Sequence, residues 1–130
     1  MGARKRNTAN RLKEEKKNIS LAKLNDCPTS PRKMRLVADM VRGVDVFKAL
    51  SMLQHNPKEA SGRLEKLIKS AITNWESKNE GKRIEDAKLV VKEIYVDSAT
   101  MLKRVQPAPQ GRAHRIRKRS NHVTVVIDSI

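Results

Sequence analysis

Residues 98–127 constrain the fold of this chain more than any other segment, because they contain seven basic side chains and no acidic one. Like charges at this density repel one another, and the repulsion is relieved when the segment binds a polyanion. A solvated basic surface is the alternative. The seven basic residues are Lys103, Arg104, Arg112, Arg115, Arg117, Lys118 and Arg119.

The same segment has the pattern of a long hairpin. β-branched residues alternate with other residues before position 98 and after position 122, as expected for strands, and prolines and a glycine occupy the centre at 107–111. We therefore predict an antiparallel hairpin, with a disordered basic loop as the alternative. The base strands are expected at about 88–97 and 119–128, and the projecting arms at about 98–106 and 112–118.

Residues 18–97 carry 15 basic and 11 acidic side chains, an ordinary balance for a globular surface. A short strand is expected at 19–24, followed by three helices, because Ser30 precedes a proline, Asp45 can cap a second helix, and apolar residues recur at helical spacing over 60–75. The predicted class is α+β, a two-layer β-α-α-α-β-β body with a three-stranded antiparallel sheet and a long protruding β-hairpin. The expected core residues are Leu21, Leu36, Phe47, Leu50, Leu64, Ile68, Trp75, Ile94 and Val125.

Residues 1–17 form a basic N-terminal extension with seven basic and two acidic side chains. The extension lacks an apolar period, so it is expected to be disordered without a partner, with a weak helix over Asn10–Lys17 as the alternative. Residues 18–130 are predicted to form a single globular domain from which the hairpin 98–118 protrudes. The chain is thus expected to be a nearly balanced body with two cationic appendages.

The composition argues against several classes of function. No apolar run approaches the ~20 residues that a membrane helix needs, and no apolar segment of a secretory signal follows the basic N-terminus. Cys27 is the only cysteine, which predicts a reduced, cytoplasmic protein without an internal disulfide. No metal-ligand spacing occurs, and Ser30 with Lys33 lacks the companion motifs of serine acyl-enzymes. We expect no catalytic residue, cofactor, metal, membrane or small-molecule substrate.

Nucleic acid is the partner that the charge favours, since the chain has 29 Lys and Arg but only 14 Asp and Glu, which gives a net charge of +15. Arg32, Arg35 and Arg42 are expected near one face of the first helix, where their guanidinium groups match phosphate oxygens. The chain has three aromatic residues, and at least two are expected inside the body, so stacking on bases is not expected. Binding through phosphates and shape is predicted, and a basic DNA/RNA-binding protein of the nucleoid type is the alternative.

Two segments resemble a known family. The runs Arg104–Asp128 and Ser30–Gly43 are similar to the C-terminal signature and the first helix of the bacterial L22 family of large-ribosomal-subunit proteins. The most specific part is the pattern that begins with Gly-Arg-Ala at 111–113 and ends with His-Val-Thr at 122–124. The resemblance covers about residues 19–128 and leaves the N-terminal extension outside.

The resemblance implies a structural, non-enzymatic protein that binds 23S ribosomal RNA, aids subunit assembly and contacts neighbouring large-subunit proteins. Its hairpin would thread through the RNA, and the hairpin tip would line the peptide exit tunnel and meet the nascent peptide. The implied RNA-binding residues are Arg32, Lys33, Arg35, Lys103, Arg104, Arg112, Arg115, Arg117, Lys118 and Arg119. The implied tip is Gln106, Pro107, Ala108, Pro109, Gln110 and Gly111.

The tip departs from the family pattern. Ala108 and Gln110 stand where many bacterial members have basic residues, and Pro109 is an extra proline. This departure predicts a stiffer and less charged constriction.

Overall fold

The structure, a computed structural model, describes residues 2–129. Its three-stranded antiparallel sheet has the strand order Ser20–Cys27, Asn121–Ser129, Leu89–Ser98. A separate two-stranded ribbon pairs Leu102–Pro107 with Ala113–Lys118. The predicted α+β class is confirmed. The elements are α1 (Ala3–Asn18), β1 (Ser20–Cys27), α2 (Pro31–Val41), α3 (Val46–Gln54), α4 (Glu59–Lys78), β2 (Leu89–Ser98), β3 (Leu102–Pro107), a 3-10 turn (Pro109–Gly111), β4 (Ala113–Lys118) and β5 (Asn121–Ser129).

Strand β5 lies at the centre of the body. Its Val125 pairs with Ala22 of β1 on one side and with Ile94 of β2 on the other, and all three side chains are buried. Helix α4 covers this apolar face because its buried residues recur every three or four positions, as predicted. The buried residues of α4 are Ala60, Ser61, Leu64, Leu67, Ile68, Ala71 and Trp75.

A β-bulge in β2 interrupts the predicted alternation of buried and exposed residues. The pairing with β5 shifts register between Val91 and Glu93. Strict alternation back from Ile94 would place Val90 and Lys92 on the buried face, whereas the bulge buries Val91 and leaves Val90 half-buried. Lys92 is consequently exposed, and its Nζ lies 2.6 Å from Oδ2 of Asp128.

The starts of α2 and α3 follow the predicted signals, but two expected core residues are exposed. Asp45 accepts hydrogen bonds from two N–H groups of the first turn of α3, and Gly43 has a φ of +74°, which suits its place after α2. Leu36 and Phe47 are 56% and 50% exposed, because α2 buries Met34, Val37 and Val41 and α3 buries Val46, Ala49 and Leu53. Leu21 and Leu50 are only half-buried; the other predicted core residues are buried.

Side chains and backbone of the α2 region close the outer edge of β2. Gly43 N–H donates to Val91 O at 2.8 Å, and Val91 N–H donates to Val44 O at 3.0 Å. Arg42 Nη2 donates to Ile94 O at 3.1 Å, and Arg35 donates from both Nε and Nη2 to Val96 O at 3.2 and 2.9 Å. Four backbone groups at the edge of β2 therefore have internal partners instead of a further strand.

Helix α4 closes the opposite edge in the same way. Asn74 Nδ2 donates to Leu21 O at 3.0 Å, and Lys78 Nζ donates to Ile19 O at 2.6 Å. Leu21 belongs to β1, and Ile19 is the residue immediately before it. Two polar residues that a helical wheel assigns to the surface thus hold the sheet edge.

The N-terminal extension differs from the expected disordered segment. It forms helix α1 over Ala3–Asn18, which is longer than the weak helix considered over Asn10–Lys17. Every side chain described within α1 is exposed, so no core contact holds the helix. Without such contacts a helix of this length is marginally stable in water, and its order off a partner stays a prediction.

Replacing Arg35 by Ala tests the edge closure. We expect the free energy of unfolding to fall by about 1.5–3 kcal/mol, because Val96 O loses two hydrogen bonds from a charged donor. Urea denaturation monitored by circular dichroism measures it. The control is Arg32→Ala in the same helix, whose exposed side chain makes no hydrogen bond within residues 2–129 and should change stability by less than about 0.5 kcal/mol. Equal losses in both variants would contradict the assignment.

Candidate nucleic-acid interface

The hairpin continues directly from two strands of the central sheet. Strand β2 leads into β3 and β4 leads into β5, and Ala99 N–H donates to Ser120 O at 2.9 Å between the two ladders. Buried Asn121 donates from Nδ2 to Thr29 O, which fixes the hairpin base against the segment before α2. The arms themselves, β3 and β4, are shorter than the predicted 98–106 and 112–118.

Both faces of the hairpin are cationic. Residues that lie directly opposite in the ladder share a face, and successive residues alternate between faces. Arg104 and Lys118 therefore lie on one face, whereas Lys103, Arg115 and Arg117 lie on the other. None of these five cations forms an ion pair within residues 2–129, and all are exposed.

The large apolar residues of the hairpin strands are divided between its two faces. Leu102 and Ile116 share one face with two cations, and Val105 lies on the other; Leu102 and Val105 are 56% and 66% exposed. Lys103 lies directly opposite Arg117, and like charges in that position destabilise a ladder. An isolated two-stranded ribbon is already marginally stable in water, and this repulsion lowers the stability of the hairpin further.

The tip is a tight, uncharged turn. Ala108 N–H donates to Arg112 O at 2.9 Å, and Arg112 N–H donates to Pro109 O at 3.4 Å. Gln110 and Gly111 have φ values of +62° and +70°, a conformation that glycine adopts freely and glutamine does not. The turn is therefore compact, and Arg112 is the first cation beyond it.

A small cationic cavity joins the hairpin base to α2. This junction cavity has a volume of about 380 Å³ and is lined by three arginines, two serines and one proline, with no carboxylate. Arg119 comes from the hairpin end, while Arg32 and Arg35 come from the first turns of α2, so the cavity brings together three of the predicted RNA-binding residues. The lining residues are Ser30, Pro31, Arg32, Arg35, Ser98 and Arg119.

Two of the arginines expected on one face of α2 have structural partners. Arg35 donates to Val96 O, and Arg42 donates to Ile94 O and pairs with Asp39 at 2.7 Å. Arg32 and Lys33 are exposed at the start of the same helix. A role for Arg35 in RNA binding stays a prediction. In that role its guanidinium group would contact RNA while also donating to Val96 O at the sheet edge.

Aromatic residues are also placed differently from the prediction. Only Trp75 is buried, whereas Phe47 and Tyr95 are about half exposed on the body. Neither belongs to the hairpin, which contains no Phe, Trp or Tyr. The hairpin therefore has none of the large aromatic rings on which single-stranded bases usually stack.

Shifted pKa values lie on the body and reflect local pairs. Hydrogen bonds to Glu59 and Asp128 raise the pKa of Arg63 and of Lys92, respectively. The Tyr95 hydroxyl donates to Glu93, which raises the pKa of Tyr95. No cluster of three potential metal ligands occurs within residues 2–129, and no helix there has the length and apolar character needed to cross a membrane.

Comparison with known proteins finds one family match that includes both the body and the hairpin. Residues 22–128, which include both, match the family described as ribosomal protein L22p/L17e. The chain belongs to this family. The match confirms the resemblance seen in the two sequence runs, and the family is structural and non-enzymatic, as predicted.

Relatives match at high identity over nearly their whole length. The large ribosomal subunit protein uL22 of Christiangramia forsetii is 65% identical over 98% of this chain and 94% of its own length. The uL22 proteins of Flavobacterium johnsoniae and Parabacteroides distasonis are 65% and 60% identical over 100% of this chain and 95% of their own lengths. Helix α1 precedes the family-matched residues but lies within these two alignments.

The variant Arg117→Glu should have opposite effects on the stability of the L22-family hairpin and on its binding to RNA. It replaces the repulsion between Lys103 and Arg117 by attraction, worth about 0.2–1 kcal/mol, so hydrogen exchange of the β3 and β4 amides in the free protein should slow. Binding to RNA should weaken because one face loses a cation. The control is Arg112→Glu, which makes the same charge change outside the ladder and should not slow that exchange. Faster exchange in Arg117→Glu would contradict the inferred faces.

Proposed function

We propose that this chain is a structural constituent of the bacterial large ribosomal subunit, located on cytoplasmic ribosomes. It binds 23S ribosomal RNA, aids subunit assembly and lines the peptide exit tunnel with its hairpin tip. Family membership supports the ribosomal role. The observation that carries the RNA-binding role is that both faces of an acid-free hairpin are cationic and unpaired within residues 2–129.

Cations on both faces favour a hairpin that lies between RNA segments. A basic ribbon lying flat on one RNA surface would leave the cations of its outer face unused. Between two segments, each face neutralises the phosphates next to it and reduces the repulsion between them, so that the segments can pack closely. The same contacts stabilise the ribbon, which couples ordering of the hairpin to assembly of the RNA.

The junction cavity is proposed to hold a phosphate of the same RNA where the hairpin leaves the body. Guanidinium groups of Arg32 and Arg119 approach from two chain segments, and the Ser30 hydroxyl makes no capping bond to α2. Arginine forks bind phosphate oxygens through two parallel hydrogen bonds. The cavity would then set the angle between the body and the RNA around the hairpin. Lys33, Arg104, Arg115 and Lys118 are proposed to bind other phosphates.

The tip is proposed to contact the nascent peptide, and the body to contact neighbouring large-subunit proteins. The stretch Gln106–Gly111 contains no charged residue. Pro109 restricts the backbone, and the two hydrogen bonds between the tip residues close the turn. A tunnel wall made from this turn would be rigid and electrically neutral, as the sequence departure from other members predicts.

Deletion of residues 103–119 tests the proposal in cells. Tagged full-length protein should sediment with large subunits and remain there through a moderate salt wash. The deletion variant should keep the helical circular dichroism of the body, because the β1-β5-β2 sheet remains, but should enter subunits poorly. Recovery of the full-length protein mainly on nucleoid DNA would favour the nucleoid alternative. Loss of helical signal in the deletion variant would contradict the separation of body and hairpin.

A structure of the assembled subunit tests the tip. We expect density for Pro107–Gly111 in the tunnel wall, with the turn closed by the Ala108–Arg112 hydrogen bond. The variant Gln110→Gly should adopt the same turn, since glycine tolerates the positive φ that Gln110 has. A tip that is disordered or withdrawn from the tunnel would contradict the proposed lining.

A further inference from the structure

Helix α1 carries its charges asymmetrically. With 3.6 residues per turn, five cations fall within an arc of about 120° around Ala9. The two acids, Glu14 and Glu15, lie towards the opposite side, on either side of Arg4 and Arg11. We call the first side the cationic face of α1; its residues are Lys5, Arg6, Lys13, Lys16 and Lys17.

The ion pair of α1 is on the other side. Arg11 Nε lies 3.4 Å from Oε1 of Glu15, so part of the charge there is already neutralised. No side chain of the cationic face forms an ion pair with residues 2–129. The uncompensated charge of the extension is thus concentrated on one face of the helix.

An anionic polymer fits this face better than a protein groove does. Protein interfaces are built around apolar and aromatic anchors, and α1 has one large apolar residue, Leu12, which is 47% exposed. From Lys5 to Lys17 the cationic face extends for about 18 Å, long enough to follow a phosphate backbone past several nucleotides. Charge complementarity therefore selects RNA as the occupant.

The position of α1 restricts where that RNA can be. Ile19 is the one residue between α1 and β1, and its carbonyl accepts a hydrogen bond from Lys78. A connection this short keeps the C-terminal end of the helix next to the start of β1. The RNA on α1 is therefore a segment that passes near the start of β1.

We propose that α1 is a second RNA-binding element, which docks its cationic face on the phosphate backbone of ribosomal RNA next to the start of β1 and is stabilised as a helix by that contact. This inference rests on the proposed function, because it takes the RNA to be that of the large subunit. It assigns a ligand to the segment that precedes the family-matched residues 22–128.

Two matched double variants test the proposal in the full-length chain. Arg6→Gln with Lys13→Gln removes two charges from the cationic face, and Arg4→Gln with Arg11→Gln removes two charges at the same spacing from the other side. Glutamine has about the same helix propensity as lysine and arginine, so the intrinsic helix propensity is preserved in both variants, and the second variant also loses the Arg11–Glu15 ion pair. The probe is full-length 23S ribosomal RNA, and the measurement is the dissociation constant at several KCl concentrations.

The first variant should bind more weakly and should reduce the slope of log K against log salt by about 1.4–1.8, because two phosphate contacts are lost. The second should keep the wild-type slope to within about 0.5. If both variants reduced the slope of log K against log salt equally, or if neither reduced it, the assignment of RNA binding to one face of α1 would be overturned. Failure of the unmodified chain to bind would instead overturn the proposed function.

Hydrogen exchange gives an independent readout on the same samples. Amides of residues 3–18 should exchange quickly in the free protein and become protected when the 23S RNA is added. Protection should be lost in the Arg6→Gln, Lys13→Gln variant and retained in the Arg4→Gln, Arg11→Gln variant. Protection that requires added ribosomal proteins rather than RNA would assign α1 to a protein partner and overturn the proposal.

Discussion

Carbonyl groups along the two edges of the sheet need hydrogen-bond donors, and satisfying them determines the shape of the body. Arg35 and Arg42 from the α2 region supply donors to β2, and Asn74 and Lys78 of α4 supply donors to β1. Because these partners occupy part of each edge, they hinder sideways pairing with another strand. The direction left for extension is along the strands themselves, through β2 and β5 into the hairpin.

This arrangement separates stability from binding. Residues 18–97 of the body carry 15 basic and 11 acidic side chains, and the body has a continuous core, so we expect it to fold without a polyanion. The hairpin and α1 carry most of the excess charge and contribute no residue to that core. Repulsion between appendage cations, such as Lys103 and Arg117, therefore weakens an element on which the body does not depend.

Features set by local rules could be predicted from the sequence: the buried stripe of α4, the Asp45 cap, the glycine after α2 and the antiparallel hairpin. Features set by distant partners could not. The rotation of α2 and α3, which exposes Leu36 and Phe47, depends on how the helices pack, and the bulge near Lys92 depends on pairing with β5. The roles of Arg35 and Arg42 required knowing which strand edge lies beside α2. The concentration of charge on one face of α1, by contrast, could have been predicted from a helical wheel of the sequence.

The two appendages differ in the entropy that they lose on binding. Hydrogen bonds of the central ladder and of Asn121 already hold the hairpin base in one direction. Helix α1 has no buried contact, so most of its ordering entropy is lost when a partner binds. For equal numbers of phosphate contacts, we therefore expect the proposed RNA contacts of the hairpin base to contribute more net affinity than those of α1.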